Sequence, residues 1–255
     1  MKAFIFHLNL LLFAFLLSPK SNAQDKYLFS NKIVDLQFLY NYHIPGGKIA
    51  KRYENFSSVG FGAMLKAKNN WVLGYELNYL FGQNIKEETI LNQLVTSGNY
   101  IANADGYPAN YSVNMRGISS FVRGGRLFSV KKFNQNTGFL ILGGIGLLNH
   151  RINFQSQEGN APSIDSDYKK GYDRFSSGIA FNQFVGYIYH SQNRYINLFI
   201  GMDFMQAFTY NRRGFNYDTQ QFDKERYLDL TTSFRFGWTI PIYMNTKEQN
   251  EFQFR

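Results

Sequence analysis

The stretch that decides the fold is Trp71-Val72-Leu73-Gly74-Tyr75-Glu76-Leu77-Asn78-Tyr79-Leu80-Phe81. Its odd positions read Trp, Leu, Tyr, Leu, Tyr, Phe, and its even positions mix Val, Gly, Glu, Asn and Leu. A two-residue period sustained this long describes a β-strand with two unlike faces, one large and aromatic, the other small and polar. The same rhythm recurs in segments 33–43, 57–67, 111–122, 138–154, 177–189, 195–208 and 227–243, so that with 71–83 the chain holds eight candidate strands. Each reaches the roughly 9–11 residues that a tilted membrane strand needs. In 111–122 the phase puts Tyr111, Val113 and Met115 against Ser112, Asn114 and Arg116 and blurs near Gly117; Gly124-Gly125 beyond it reads as a bulge.

The links alternate in length. Long polar stretches follow the first, third, fifth and seventh segments (43–56, 83–110, 155–176 and 209–226), and short ones follow the second, fourth and sixth. Even strand number with long–short alternation is the pattern of a transmembrane barrel. The long second loop carries a helical patch, Ile85 to Val95, and also has room for an extra hairpin, which keeps ten strands open beside eight.

Which face meets which medium follows from the charges. A soluble ligand-binding barrel turns its polar face to water and covers it with Lys, Glu and Arg. Here the polar faces are Gly, Ser, Asn, Thr and Gln, while most lysines sit in loops. Small polar residues suit a narrow interior, so Trp71, Tyr75, Phe81, Phe236 and Trp238 are read as facing lipid. The expected fold is an all-β, eight-stranded antiparallel up-and-down transmembrane barrel with a plugged polar lumen. Glu76, Arg116, Asp203, Asp229 and Arg235 fall on the inward phase and are expected to pair there, because a charge in a poorly hydrated lumen needs a partner.

The ends agree with export. Residues 1–23 have a lysine, an apolar run from Ala3 to Leu17 and a Ser21-Asn22-Ala23 cleavage site, as in a secretory signal peptide. Residues 24–243 are then the barrel and 244–255 a polar periplasmic tail. The chain of 255 residues contains no cysteine, which excludes disulfides, thiolate metal sites and a lipoprotein anchor. Its net charge of +9 falls to +7 without Lys2 and Lys20 of the leader. Such a balance suits anionic lipid or nucleic acid; a secretory leader selects lipid and excludes nucleic acid as the partner.

The architecture resembles the small eight-stranded outer-membrane barrels of Gram-negative bacteria, the OmpX and OmpA transmembrane-domain type, over nearly all of residues 27–243. The SNAQ signal end and the Asn-, Tyr- and Lys-rich composition look like proteins of Bacteroidota. The resemblance lies in architecture alone and implies an outer-membrane location but no functional residues. It departs at the C-terminus, where GWTIPIY is followed by the polar MNTKEQNEFQFR rather than a terminal aromatic.

Chemistry is sparse. His43 and His150 are read at the outer rim, with Ser57 and Ser112 near, but no nucleophile elbow or metal-ligand spacing accompanies them. Non-enzymatic, cofactor-free binding through outer loops and lipid is therefore expected, with lipopolysaccharide phosphates met by Lys48, Lys51, Arg52, Arg212 and Arg213. Three other roles stay open: a subunit of a larger outer-membrane secretion or assembly complex, a small-solute pore, and a lipid-modifying enzyme that would act through His43 and His150.

Overall fold

The computed structural model describes residues 32–131, 134–156, 161–164, 167–191 and 197–244; the leader and the tail beyond Met244 lie outside them. Eight long strands form the wall: β1 (Lys32–Gly47), β2 (Phe56–Lys66), β3 (Trp71–Gly82), β4 (Tyr111–Lys131), β5 (Asn134–Ser156), β6 (Ser176–His190), β7 (Asn197–Asn211) and β10 (Arg226–Met244). Between β7 and β10 a short ribbon, β8 (Phe215–Asn216) with β9 (Gln221–Phe222), stands apart from the wall. Each wall strand pairs antiparallel with its sequence neighbours, and β1 pairs with β10 from Lys32↔Met244 to Gly47↔Asp229, which closes the sheet. Closure leaves the eight-stranded wall without an edge strand, the condition for a sheet to stand in lipid.

The opening stretch is β3, and its odd residues point outward: Trp71, Leu73, Tyr75, Leu77 and Tyr79 are all exposed. Phe38, Phe61 and Trp238 meet across β2, β1 and β10, with ring centroids 5.3 Å and 5.5 Å from Phe38. Isolated in water this aromatic skin would be an aggregation surface; in lipid it is the solvent-facing side. Gln183 and Gln206, also on the outer face, exchange two 3.0 Å amide hydrogen bonds and so hide each other's polar atoms. The chain is a transmembrane β-barrel of eight strands. Among the described residues no helix is long and apolar enough to cross a membrane.

Three details differ from expectation. The ladder of β4 runs unbroken through Gly124↔Gly143 and Gly125↔Leu142, and its irregularity lies between Ser129 and Lys131. The long loop at 83–110 adds no wall strand; it holds a 3-10 helix over Glu88–Leu94 and a lone bridge between Ala102 and Pro108. The lumen is polar only in layers. Ile33, Leu39, Met64, Leu140, Phe184 and Phe199 are buried on its turn side, and Phe56, Leu80, Met115, Leu148 and Ile152 on its loop side. Inward glycines make room for the bulk: a Cβ on Gly237 would sit 2.1 Å from the Phe199 ring, and one on Gly186 or Gly201 within 2.7 Å of the Phe184 ring.

Candidate functional site

At mid-barrel, four charges from four strands close the lumen. Arg123 of β4 donates from Nη2 to Glu76 Oε1 at 2.6 Å and to Asp203 Oδ2 at 2.7 Å. Arg235 of β10 donates from Nη1 to Asp203 at 2.8 Å and from Nη2 to Glu76 Oε2. Asn78 and Asn182 add amide donors to the two carboxylates. Phe184 and Phe199 stack on the Arg235 guanidinium at 5.5 Å each. All four charges are buried, and they sum to zero, so the desolvation of each is answered by two opposite neighbours. The cavity beside them measures ≈ 10 Å³, room for about one water.

Of the five charges expected in the lumen, Glu76, Asp203 and Arg235 meet in this square. Asp229 lies nearer the loops, where His150 Nε2 is 3.1 Å away and Thr209 Oγ1 donates at 2.5 Å. Arg116 is a correction: it is half-exposed on the outer face of β4. The fourth member is Arg123, which the phase at the loop end of this strand does not place inward. There the media exchange: Met115 packs inward under the loops, and Ser112, Asn114 and Arg116 look outward. The intrastrand spacing carried the signal, since Arg123 is odd-numbered like buried Ser119 and Phe121.

His43 and His150, expected at the outer rim, are buried inside the barrel, as is His190. His43 lies between Ser58 Oγ at 2.9 Å and Ser233 Oγ at 2.6 Å, not beside Ser57. His150 faces Tyr53 OH at 3.3 Å, and His190 faces Asp35 at 3.0 Å near the turn end. These contacts polarise no exposed hydroxyl, and among the described residues no cluster fit to hold a metal occurs.

Above the lumen the four long loops form one crown. Helix α1 (Ile49–Arg52) sets Ile49 and Tyr53 into the barrel mouth, where Ile90, Leu91, Ile101 and Ile164 from the other loops join them. Burial pushes the Tyr53 and Tyr172 hydroxyls up, so both stay neutral. A chain of four charges crosses the crown: Arg52 lies 3.2 Å from Glu87, Glu87 accepts from Arg174 at 3.1 Å, and Arg174 donates to Asp218 at 2.5 Å. Arg174 holds φ +48°, a left-handed backbone that a long side chain adopts at a cost. The two carboxylates it reaches are what offsets that cost.

The loop cations read as phosphate ligands divide accordingly. Arg52 is buried and spent on Glu87 and Ser176, and Arg213 forks onto Asp173 at 3.1 and 2.6 Å, which raises its already high pKa. Both leave the phosphate set. Lys48 lies 4.5 Å over the Tyr227 ring and Arg212 lies 4.1 Å over Tyr210, while Lys51 is exposed. Lys48, Glu87, Arg174, Asp218, Asp223 and Tyr227 border an open cleft of ≈ 480 Å³ between the loops. At the loop tips stand bare aromatics: Phe222 is 74% exposed, Tyr107 70% and Tyr168 65%.

No family model and no curated protein matches the chain in sequence. Among solved structures it is similar to Ail, the attachment invasion locus protein of Yersinia pestis, at 10% identity over 82% of this chain and 99% of that one, with a TM-score of 0.43. Neisserial surface protein A is similar at 12% identity, 80% and 96% coverage and a TM-score of 0.40. The N-terminal β-barrel domain of Pseudomonas aeruginosa OprF gives 10%, 82% and 98%, with 0.34.

Proposed function

We propose that this protein resides in the outer membrane as a non-conducting barrel and works by binding, with the loop crown as its recognition surface. The observation that carries this reading is the lumen: a neutral ionic square between two apolar layers, with a neighbouring cavity of only ≈ 10 Å³. A wall that transports nothing serves to hold what stands on it. The crown fits that role because its ion-pair chain makes it rigid before any ligand arrives, which lowers the ordering cost of binding. Its exposed aromatics are the residue types on which such energy concentrates.

A photo-reactive residue placed at Phe222, and separately at Tyr107, tests the proposal on intact cells. Covalent adducts at either tip are expected; only the bare barrel after irradiation at both tips would sink a binding role for the crown. The same bare tips favour a second reading, a subunit of a larger outer-membrane assembly. Extraction in mild detergent separates the two. Stoichiometric recovery of one large envelope protein supports the assembly, and a lone species of barrel mass supports an autonomous binder.

A further inference from the structure

On the outer face of β4, Gly124, Val122, Ser120 and Ile118 lie between Arg126 toward the turn end and Arg116 toward the loops, so two arginines bracket an uncharged stretch. Arg126 lies 6.0 Å over the Trp71 ring and 5.7 Å over Phe128, a cation set among interfacial aromatics. Arg116 stands ten residues further along the same strand. At about 3.3 Å per residue and a tilt of about 40°, that run climbs about 25 Å, the height of the apolar band on such barrels. Arg116 therefore stands where the far headgroups begin.

Directly across the ladder from Arg116 is Arg151 of β5. Like charges opposed on one sheet face repel. Among the described residues neither forms an ion pair: Arg116 donates to the carbonyl of its neighbour Met115 at 2.9 Å, and Arg151 is exposed. Asn149, Asn153 and Gln155 border the pair in a shallow groove of ≈ 540 Å³ that extends down to Tyr79 and Ile118. Two guanidiniums, flanking amides and an apolar floor complement a phosphate carried on a sugar with acyl chains beneath it.

We propose that this outer face of β3, β4 and β5 binds a phosphorylated glycolipid of the outer leaflet, its phosphate held between Arg116 and Arg151 and its acyl chains over Ile118 and Tyr79. The site is separate from the crown and rests on the outer-membrane reading. It also accounts for a repulsive pair on a surface where one neutral residue would relieve it: the lipid supplies the missing anion.

The purified barrel, in micelles, is titrated with bisphosphorylated lipid A and with the same lipid after dephosphorylation, and bound lipid is counted by native mass spectrometry. Wild type is expected to prefer the phosphorylated form by about tenfold or more, as loss of charge-assisted hydrogen bonds implies. Arg116→Gln with Arg151→Gln should abolish the preference, and Arg126→Gln, at the opposite rim, should keep it. Equal binding of phosphorylated lipid by wild type and the double variant overturns the site. Competition by inorganic phosphate or a sulfated sugar at the lipid's own concentration overturns the lipid as occupant. Insertion into vesicles is scored separately by the heat-dependent gel shift of folded barrels. Failure of wild type to insert removes the membrane reading and this proposal together, whereas insertion without phosphate preference removes this proposal alone.

Discussion

Arg123 and Arg116 lie seven positions apart on one strand and face opposite media, so the same substitution should have opposite consequences. Arg123→Met leaves Glu76 and Asp203 short of a buried counter-charge, a loss of about 3–5 kcal/mol. Arg116→Met touches no paired group and should stay within about 0.5 kcal/mol. Urea unfolding in vesicles checks both; comparable losses would mean that the facing of β4 is wrong. A second residue-scale test uses Gly237. Its Cβ would run into the Phe199 ring, so Gly237→Ala should cost about 1–3 kcal/mol by overpacking, and Phe199→Leu in the same chain should recover part of it. At this scale legibility followed the medium. Glu76, Asp203 and Arg235 lie within strands flanked by lipid on one side throughout, and alternation located them. Arg123 was lost because the outer end of β4 leaves the lipid, and the polarity of its two faces reverses there. Phe184 and Phe199 share the phase of Asn182 and Asp203, so alternation places them inward, but a large aromatic among small polar residues hides that signal until the glycines opposite it are seen.

Among the elements, most strand positions were legible nearly to their ends, so that 71–83 became Trp71–Gly82 and 177–189 became Ser176–His190, whereas 111–122 fell nine residues short of β4, which runs Tyr111–Lys131. Period two is a property of neighbouring residues, so it survives without tertiary knowledge. The crown was not legible, because Arg52, Glu87, Arg174 and Asp218 are joined by contacts spanning as many as 87 positions and by no local pattern. Glu87→Gln weakens both of its arginine contacts at once. Amide exchange in residues 84–95 and 172–176 is expected to accelerate, while wall strands keep their protection; unchanged loops would show the chain of charges to be incidental. The ribbon β8–β9 carries its own pH signature. Burial alone would raise the Asp223 carboxyl, yet donors Tyr227, Asn211 and Asn216 hold it below the ordinary 3.8. A depressed folded value contributes stability that is complete above the unfolded value and disappears as pH falls through the folded one. After correction for intrinsic rates, exchange around Phe215 and Gln221 should therefore stay flat down to about pH 4 and rise only in more acidic solution. Asp223→Asn should remove that acid-dependent rise.

For the molecule as a whole, the decisive question is whether a closed wall is also a closed pore. Architecture was legible: strand number, alternation of links and the aromatic outer face all follow from periodicity and charge placement. What filled the lumen was only partly so, since small inward residues suggest a polar filling and the apolar layers come from residues whose facing needs the register. That layering makes a graded prediction. Wild type in a planar bilayer should show no unitary current steps above the bare membrane. Replacing Glu76, Arg123, Asp203 and Arg235 together by Ala removes the ionic square but leaves Leu39, Leu140, Phe184 and Phe199 on its turn side, and a narrow apolar constriction excludes ions by shedding water. This variant should stay silent as well. Adding Phe184→Ala and Phe199→Ala breaches the apolar layer beside the square, and current steps should then appear in channels that pass the gel-shift test for folding. Steps in wild type would make the protein a pore and the crown its vestibule. Steps in the first variant would make the charges, rather than the apolar layers, the seal.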